Sequence, residues 1–191
     1  MKRLSFITLI LASVFSACGP IEPTPVNPVV VIPEGAVTLM DTEFGMYYGD
    51  INNDGTGVFS VVLSDALCYQ DKLGSPYLDS EGDMLVLEFK APAQDPNAPI
   101  MIPEGTYLVD PTKSGASTIN VAKSYVKRLV GSTQYNYDLV SGSFNVGRND
   151  EGGYDIITEN LVIARGSEQH AVQYSYYGNI RFEDWNKVAA S

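Results

Sequence analysis

The sequence predicts an all-β domain, either an antiparallel β-sandwich or a barrel-like meander. Apolar residues recur at every second position in short runs, as at Phe59, Val61 and Leu63, and this period is typical of strands with one buried face. No stretch carries a sustained helical apolar period with caps at its ends. Turns rich in Asn, Asp, Ser and Gly separate the runs at short intervals; they occupy residues 53–55, 80–83, 149–153 and 165–167.

Residues 1–17 have the pattern of a signal peptide, in which two cations precede a short apolar run. That run covers residues 4–15, whereas a helix that spans a bilayer needs about twenty residues. Two small residues stand directly before Cys18, and the segment resembles the lipobox of bacterial lipoproteins, although Phe15 replaces the usual Leu, Val or Ile. The resemblance implies that Cys18 is lipidated and becomes the new N-terminus. The alternative is a plain secretory signal followed by an incidental cysteine.

Residues 18–35 predict a Pro-rich linker that holds the domain away from a lipid anchor. Proline removes a backbone donor and restricts φ, so this density of prolines prevents a helix and favours extended chain. The Val29–Ile32 run can also pair as a first edge strand. The all-β domain is predicted to cover residues 36–191. The linker prolines are Pro20, Pro23, Pro25, Pro28 and Pro33.

Eight strand segments follow in order along the domain. The first is one long strand or two, broken near Gly45. Two long connections, residues 91–102 and 112–136, interrupt the series, and the second has some strand character between residues 119 and 130. Long loops on a β scaffold are a common place for binding sites. The predicted strands are residues 37–48, 58–64, 84–90, 107–109, 139–146, 154–164, 170–177 and 179–183.

The order of motifs suggests two related four-stranded halves. A Gly-Asp pair at residues 49–50 leads through a turn to two strands, and a Gly-Ser pair at residues 142–143 leads into a similar series. Two such halves would close naturally into one sandwich.

Three blocks carry a resemblance to a known type of protein. They are Tyr-Tyr-Gly-Asp at residues 47–50 with the strand that follows, Ile-Pro-Glu-Gly-Thr-Tyr at residues 102–107, and a series of strands over residues 141–182. In this order they resemble small uncharacterised all-β surface lipoproteins of the Bacteroidota type, across most of residues 37–185. The resemblance implies an all-β fold and anchoring to the outer membrane, and it transfers no activity. Acidic residues close to the lipidated cysteine are reduced to Glu22, so periplasmic and outward display both stay open.

Charge limits the partners of the protein. Its formal net charge is −11 at pH 7, and loss of Lys2 and Arg3 with the signal peptide makes it more negative still. Such a surface repels nucleic-acid phosphates, which excludes nucleic-acid binding. The predicted partners are the membrane, through a lipid on Cys18, and a glycan or a protein.

Asp50, Asn52 and Asp54 form a weak calcium candidate. They provide oxygen ligands at alternate positions, and Gly55 follows them, as at the start of a calcium loop. The position of the bidentate Glu is occupied by Val61, which belongs to a predicted strand, so a complete loop of this kind is excluded. The alternative interpretation is a tight hairpin turn that uses Asn, Asp and Gly for positive φ.

The sequence predicts neither an enzyme nor a cofactor. His170 is the single histidine and is expected to be a strand residue, while Cys68 is expected to be a buried small side chain. Nothing resembles a serine nucleophile elbow, a zinc-protease helix motif or a phosphate-binding glycine loop. Carboxylate pairs for glycoside cleavage stay open among the 23 acidic residues, but the sequence marks out no pair.

Tyrosines are the remaining candidates for a binding surface. Of the 12 in the chain, Tyr125, Tyr135 and Tyr137 fall on the second long connection and are predicted to be exposed ligand contacts. The alternative is that they furnish strand faces and the edge of the core. We therefore expect a lipid-anchored, non-enzymatic binding or accessory module for a glycan or a protein. A structural subunit of an adhesin, fimbrial or envelope assembly is the second hypothesis.

Overall fold

The computed structural model describes residues 30–31 and 37–185. The predicted signal peptide, Cys18 and most of the predicted linker lie outside the described residues. The described chain contains fifteen strands. They are β1 (Val30–Val31), β2 (Val37–Leu39), β3 (Asp41–Tyr47), β4 (Thr56–Ser64), β5 (Cys68–Gln70), β6 (Pro76–Leu78), β7 (Gly82–Pro92), β8 (Gly105–Val109), β9 (Thr118–Ile119), β10 (Tyr125–Val130), β11 (Thr133–Arg148), β12 (Tyr154–Arg165), β13 (Glu168–Val172), β14 (Tyr174–Gly178) and β15 (Phe182–Asp184).

Thirteen of these strands form one sheet, and five of them close on themselves as a barrel in the order β7, β10, β11, β8, β9 and back to β7. From β7 the sheet continues through β4 and β3 to β15, and from β11 it continues through β12 to β13 and β14. β1 pairs with β13, and β2 pairs with β14. The predicted all-β class is therefore confirmed.

Alternate residues of these strands point into one large core, which we call the main core. Phe59 is fully buried on β4, and its ring lies 4.7 Å from that of Tyr47 and 5.4 Å from that of Phe89. A space of about 10 Å³ lies among the core side chains of Phe89, Ile102 and Phe144. It is too small to hold a ligand, as expected where side chains pack closely.

A second, smaller core lies on the outer face of β4 and β7. The hairpin β5–β6 forms a separate two-stranded sheet that covers this face. Its Cys68 and Leu78 pack against Val62, Met84 and Val86. Cys68 is buried, as predicted, but sequence analysis did not predict the hairpin because each of its strands has only three residues.

Several predicted boundaries are wrong. The first segment is two strands, but it breaks at Met40 and not near Gly45, because β2 pairs with β14 while β3 pairs with β4. The alternative for the Val29–Ile32 run is confirmed: within the segment predicted as a linker, Val30 and Val31 form β1 and pair with β13 at the end of the sheet. The final strand begins at Phe182 and not at residue 179.

The two predicted halves fall on different sides of the barrel. The strands of the first half are β4 and β7, and those of the second are β11, β12 and β14. They contribute to the same core, but β8, β9 and β10 lie between them in the sheet. A common origin for the two halves stays a prediction.

One buried charge cluster joins three strands inside this fold. Arg128 of β10 lies opposite Asp83 of β7 and donates two hydrogen bonds of 2.6 Å to its carboxylate. The hydroxyl of Tyr174 on β14 donates a third hydrogen bond, 2.7 Å long, to the same carboxylate. Burial, followed by the charge of Asp83, raises the pKa of Tyr174, so this hydroxyl stays protonated at neutral pH.

Candidate functional site

A groove of about 320 Å³ lies on the outer face of β4 and β7, beside the segment of residues 110–122. Phe59 and Phe89 point inward from these strands, so Val58, Glu88 and Lys90, one residue away, point outward into the groove. We call this feature the outer groove. Its lining includes Val58, Glu88, Lys90, Asp110, Pro111, Lys113, Asn120, Val121 and Ala122.

Backbone hydrogen bonds hold the segment of residues 110–122 beside the strands. The amide of Ser117 donates to the carbonyl of Lys90 at 2.8 Å, and that of Asn120 donates to the carbonyl of Glu88 at the same distance. β9 lies between these two contacts and pairs with both β7 and β8. One wall of the outer groove is therefore part of the sheet, and the wall opposite it is anchored to that sheet.

Glu88 has two polar partners in the outer groove. Its carboxylate accepts a hydrogen bond of 2.7 Å from the side-chain amide of Asn120 and lies 3.2 Å from the ammonium group of Lys123. Only 13% of the Glu88 side chain is exposed, so these partners replace much of the hydration that the carboxylate loses.

The other charged side chains of the outer groove are also paired. Lys90 lies 3.2 Å from Asp54, and Lys113 lies 3.4 Å from Asp110. Hydrogen bonds from Thr56, and then from Lys90, lower the pKa of Asp54. Hydrogen bonds from Thr112 lower the pKa of Asp110. Both carboxylates are therefore ionised at neutral pH, and the pairs persist there.

The backbone of Tyr48 is joined to a residue of the outer groove. The amide of Tyr48 donates a 2.9 Å hydrogen bond to the carbonyl of Val58, which lines the groove. Burial raises the pKa of Tyr48, and the charge of Glu88 raises it further. The ring of Trp185 lies 6.0 Å from that of Tyr48 and is 46% exposed.

The weak calcium candidate forms the turn between β3 and β4. Asp50 accepts hydrogen bonds of 3.0 and 2.8 Å from the amides of Asp54 and Gly55. The carboxylate of Asp54 accepts hydrogen bonds from the amide of Thr56 and the ammonium group of Lys90. Gly55 has φ of +78°, as this kind of turn requires. Across the described residues, no three His, Cys, Asp or Glu side chains are grouped so that they could hold a metal ion.

We predict that millimolar calcium leaves the melting temperature of the protein unchanged, because the oxygens of Asp50 and Asp54 already serve the turn. A ligand that binds only the folded state would raise the melting temperature by mass action. Thermal melts with calcium and with a chelator provide the measurement. A rise that is lost on replacing Asp50 and Asp54 with Ala would identify a calcium site.

Tyr125, Tyr135 and Tyr137 lie on β10 and β11 and not on a loop, and their predicted exposure is wrong for Tyr137, while Tyr125 and Tyr135 are half-buried. Tyr137 belongs to the main core and is only 7% exposed. Tyr135 packs against the same core, with the guanidinium of Arg165 4.7 Å from its ring centre, and Tyr125 packs against the smaller core. Tyr135 and Tyr137 therefore contact the main core, and Tyr125 contacts the smaller core.

His170 lies on β13, as predicted, and its ring packs edge-on against that of Tyr137 at 5.5 Å. Its Nε2 atom is buried and has no hydrogen-bond partner among the described residues. Cys68 lies on β5 in the smaller core.

Sequence analysis predicted the strand at residues 84–90, which carries Glu88 and Lys90, but did not identify the outer groove. Its second wall comes from the connection after β8, and the local pattern of that connection does not indicate where it packs. Comparison with protein-family models, curated proteins and solved structures finds no match. Among the described residues, no helix has the length and apolar character needed to cross a membrane.

Proposed function

We propose that this protein is a lipid-anchored envelope protein that binds a glycan or a protein through the outer groove, without catalysis. The observation that carries this proposal is the contrast between a filled barrel interior and an open groove of about 320 Å³. That volume is at the lower end of the range for ligand sites. It suits one ring-sized unit of a larger ligand, or one side chain of a protein.

The pairing of charges in the outer groove favours binding over catalysis. General acid–base chemistry uses a group that exchanges a proton near the working pH. Hydrogen bonds lower the pKa of Asp110, which moves its titration away from neutrality. Glu88 is held between Asn120 and Lys123. Groups fixed in this way are suited to hold hydrogen-bonding partners in a defined orientation.

Anchoring to the envelope is supported by the N-terminal sequence. Two cations, a short apolar run and small residues before Cys18 are the features of a lipoprotein signal. The Pro-rich segment after Cys18 is suited to separate a folded domain from a membrane surface. The acidic net charge of −11 suits the solubility of an exported domain, and we propose that the domain is anchored to the outer membrane.

A structural role in an adhesin, fimbrial or envelope assembly is the second candidate. The observation that favours it is the exposed side of the β5–β6 hairpin. Tyr69 and Tyr77 pair across the hairpin with their ring centres 6.0 Å apart, each about 40% exposed, and Leu73 at the tip is 90% exposed. Exposed apolar side chains that occur together are typical of protein contacts.

The binding proposal is tested by filling the outer groove with Ala122→Trp. Ala122 is an exposed turn residue that lines the groove, so a large ring should block the site without disturbing the core. We expect at least a tenfold loss of affinity for a ligand identified on arrays of glycans and envelope proteins. Ser167→Trp, in the exposed turn between β12 and β13, is the matched control and should bind normally. Equal binding by both variants would place the site elsewhere.

The anchor is tested by Cys18→Ala. Because a thiol is needed to carry the lipid, we expect the variant to leave the membrane fraction or to accumulate as an uncleaved precursor. Fractionation and the mass of the mature N-terminus are the measurements. Cys68→Ala, which lacks only the buried thiol of the folded domain, should remain anchored. Normal processing and membrane binding by Cys18→Ala would contradict lipidation.

A further inference from the structure

We infer that the outer groove selects an uncharged saccharide unit and rejects acidic and basic sugars. This inference rests on the proposed binding function and names the chemical class of its ligand. It depends on three features of the outer groove: the balance of its charges, the fixed orientation of its polar groups, and the apolar surfaces in and beside it.

The charges that line the outer groove balance each other. Glu88 and Asp110 are the acids, and Lys90 and Lys113 are the bases. Each of the four lies within 3.4 Å of an opposite charge, which for Glu88 is Lys123 and for Lys90 is Asp54. The groove is therefore locally neutral on a protein whose net charge is −11.

This balance disfavours charged ligands. An anionic sugar approaches an acidic protein against long-range repulsion and meets only lysines that already have a carboxylate partner. A cationic sugar meets only carboxylates that already have a lysine partner. Either ligand would have to break an existing ion pair or enter the groove without an oppositely charged partner. A charge without a partner loses hydration, and no ion pair offsets that cost. An uncharged ligand avoids both costs.

The fixed polar groups suit hydroxyl groups. A hydroxyl both donates and accepts hydrogen bonds, whereas an ammonium group only donates and a carboxylate only accepts. Lys90 and Lys113 carry three donors each, so pairing with one carboxylate leaves further donors for a ligand. Asn120 is held at both ends of its side-chain amide, by Glu88 at 2.7 Å and by the amide of Ala122 at 3.2 Å. A polyhydroxylated ring therefore meets donors and acceptors whose positions are already set.

The apolar groups suit the faces of a sugar ring. Val58, Pro111, Val121 and Ala122 contribute carbon surface to the outer groove, against which the C–H face of a pyranose can pack. The backbone of Tyr48 is hydrogen-bonded to Val58 of this lining, and the Trp185 ring lies 6.0 Å from the Tyr48 ring. A groove of about 320 Å³ with carbon surface in its lining fits one bound ring of an oligosaccharide.

The test compares neutral oligosaccharides with charged derivatives of the same backbones, by calorimetric titration of the mature protein. The neutral probes are cello-, xylo-, manno-, malto- and N-acetylated chito-oligosaccharides. The charged counterparts are deacetylated chito-oligosaccharides and xylo-oligosaccharides that carry glucuronic acid. We expect at least one neutral probe to bind at least tenfold more tightly than any charged probe, and Ala122→Trp to abolish that binding.

Charge variants of the groove sharpen the test. Asp110→Asn leaves a surplus positive charge, and we expect it to increase affinity for the acidic xylo-oligosaccharide at least threefold relative to the neutral one. Lys113→Gln should shift the preference towards the deacetylated chito-oligosaccharide. Lys72→Gln, an exposed substitution on the hairpin, is the control and should change neither ratio. Circular dichroism should be the same for all variants, because Asn at position 110 keeps the side-chain oxygen that accepts hydrogen bonds from Thr112, and the other substituted side chains are exposed.

Two results would overturn the inference. If a charged sugar or a peptide binds at the outer groove more tightly than every neutral probe, the ligand class is wrong while the binding function stands. If no sugar and no peptide shows binding that Ala122→Trp removes, the outer groove is not a binding site and both proposals fail.

Discussion

Replacing Asp83 with Ala is expected to lower the free energy of unfolding by about 4 kcal/mol. The carboxylate accepts two hydrogen bonds from Arg128 and one from Tyr174, and only 6% of the Asp83 side chain is exposed. Its removal leaves a largely enclosed guanidinium without its ion-pair partner, which typically costs about 3 kcal/mol or more. The Tyr174 hydroxyl, also buried, loses its acceptor at a further cost of about 1 kcal/mol.

Urea denaturation provides the measurement, with two controls. Tyr174→Phe removes only the third hydrogen bond and should cost about 1 kcal/mol. Asp79→Ala removes a carboxylate from an exposed position of the same segment and should change stability by less than about 0.5 kcal/mol. An effect below about 1 kcal/mol for Asp83→Ala would mean that water reaches the cluster and replaces the lost contacts.

Gly142→Ala is expected to cost a similar amount, about 4 kcal/mol. Gly142 lies at an irregularity in the pairing of β11 with β12, and its φ of +117° is one that residues with a Cβ rarely adopt. A Cβ atom there would lie 2.6 Å from the Cα of Leu161 and 2.7 Å from the carbonyl oxygen of Asn160. Backbone strain and overlap with the neighbouring backbone therefore add together, because neither neighbour can rotate away.

Gly147→Ala on the same strand is the matched control. The nearest atom to a Cβ at Gly147 is the carbonyl oxygen of Asp155, at 3.9 Å. We expect this variant to be as stable as the parent or slightly more so, because Ala reduces the conformational entropy of the unfolded chain. Equal stability of the two variants in urea would show that β11 and β12 can separate at the irregularity without loss of the fold.

The sequence contains the pattern that places Tyr135 and Tyr137 on a strand and not on a loop. Tyr135, Tyr137 and Leu139 alternate with Asn136 and Asp138, and this period of two continues into the predicted strand. The pattern therefore indicated that β11 begins earlier than predicted. The segment as a whole is polar, which favours a loop, but a strand with one face on the core needs only alternate apolar residues.

The outer groove could not be predicted in the same way. Alternation placed Glu88 and Lys90 on the outward face of a strand, because the inward positions beside them are apolar. Their partners come from other parts of the chain: Asp54 from a turn, and Asn120 and Lys123 from the segment after β9. A pattern of alternating residues says which face a side chain occupies, but not what covers that face.

Local patterns were enough to predict the all-β class and the turn after Asp50, because strand period and turn chemistry are properties of short segments. The choice of strand partners, and with it the barrel, the burial of Tyr137 and the outer groove, depends on the tertiary structure. Strand pairing joins residues that are far apart in the chain, as in the hydrogen bond between Asp83 and Tyr174, 91 residues apart. Many pairings satisfy the same alternation, and the one that forms is selected by closure of the whole sheet around a single filled core.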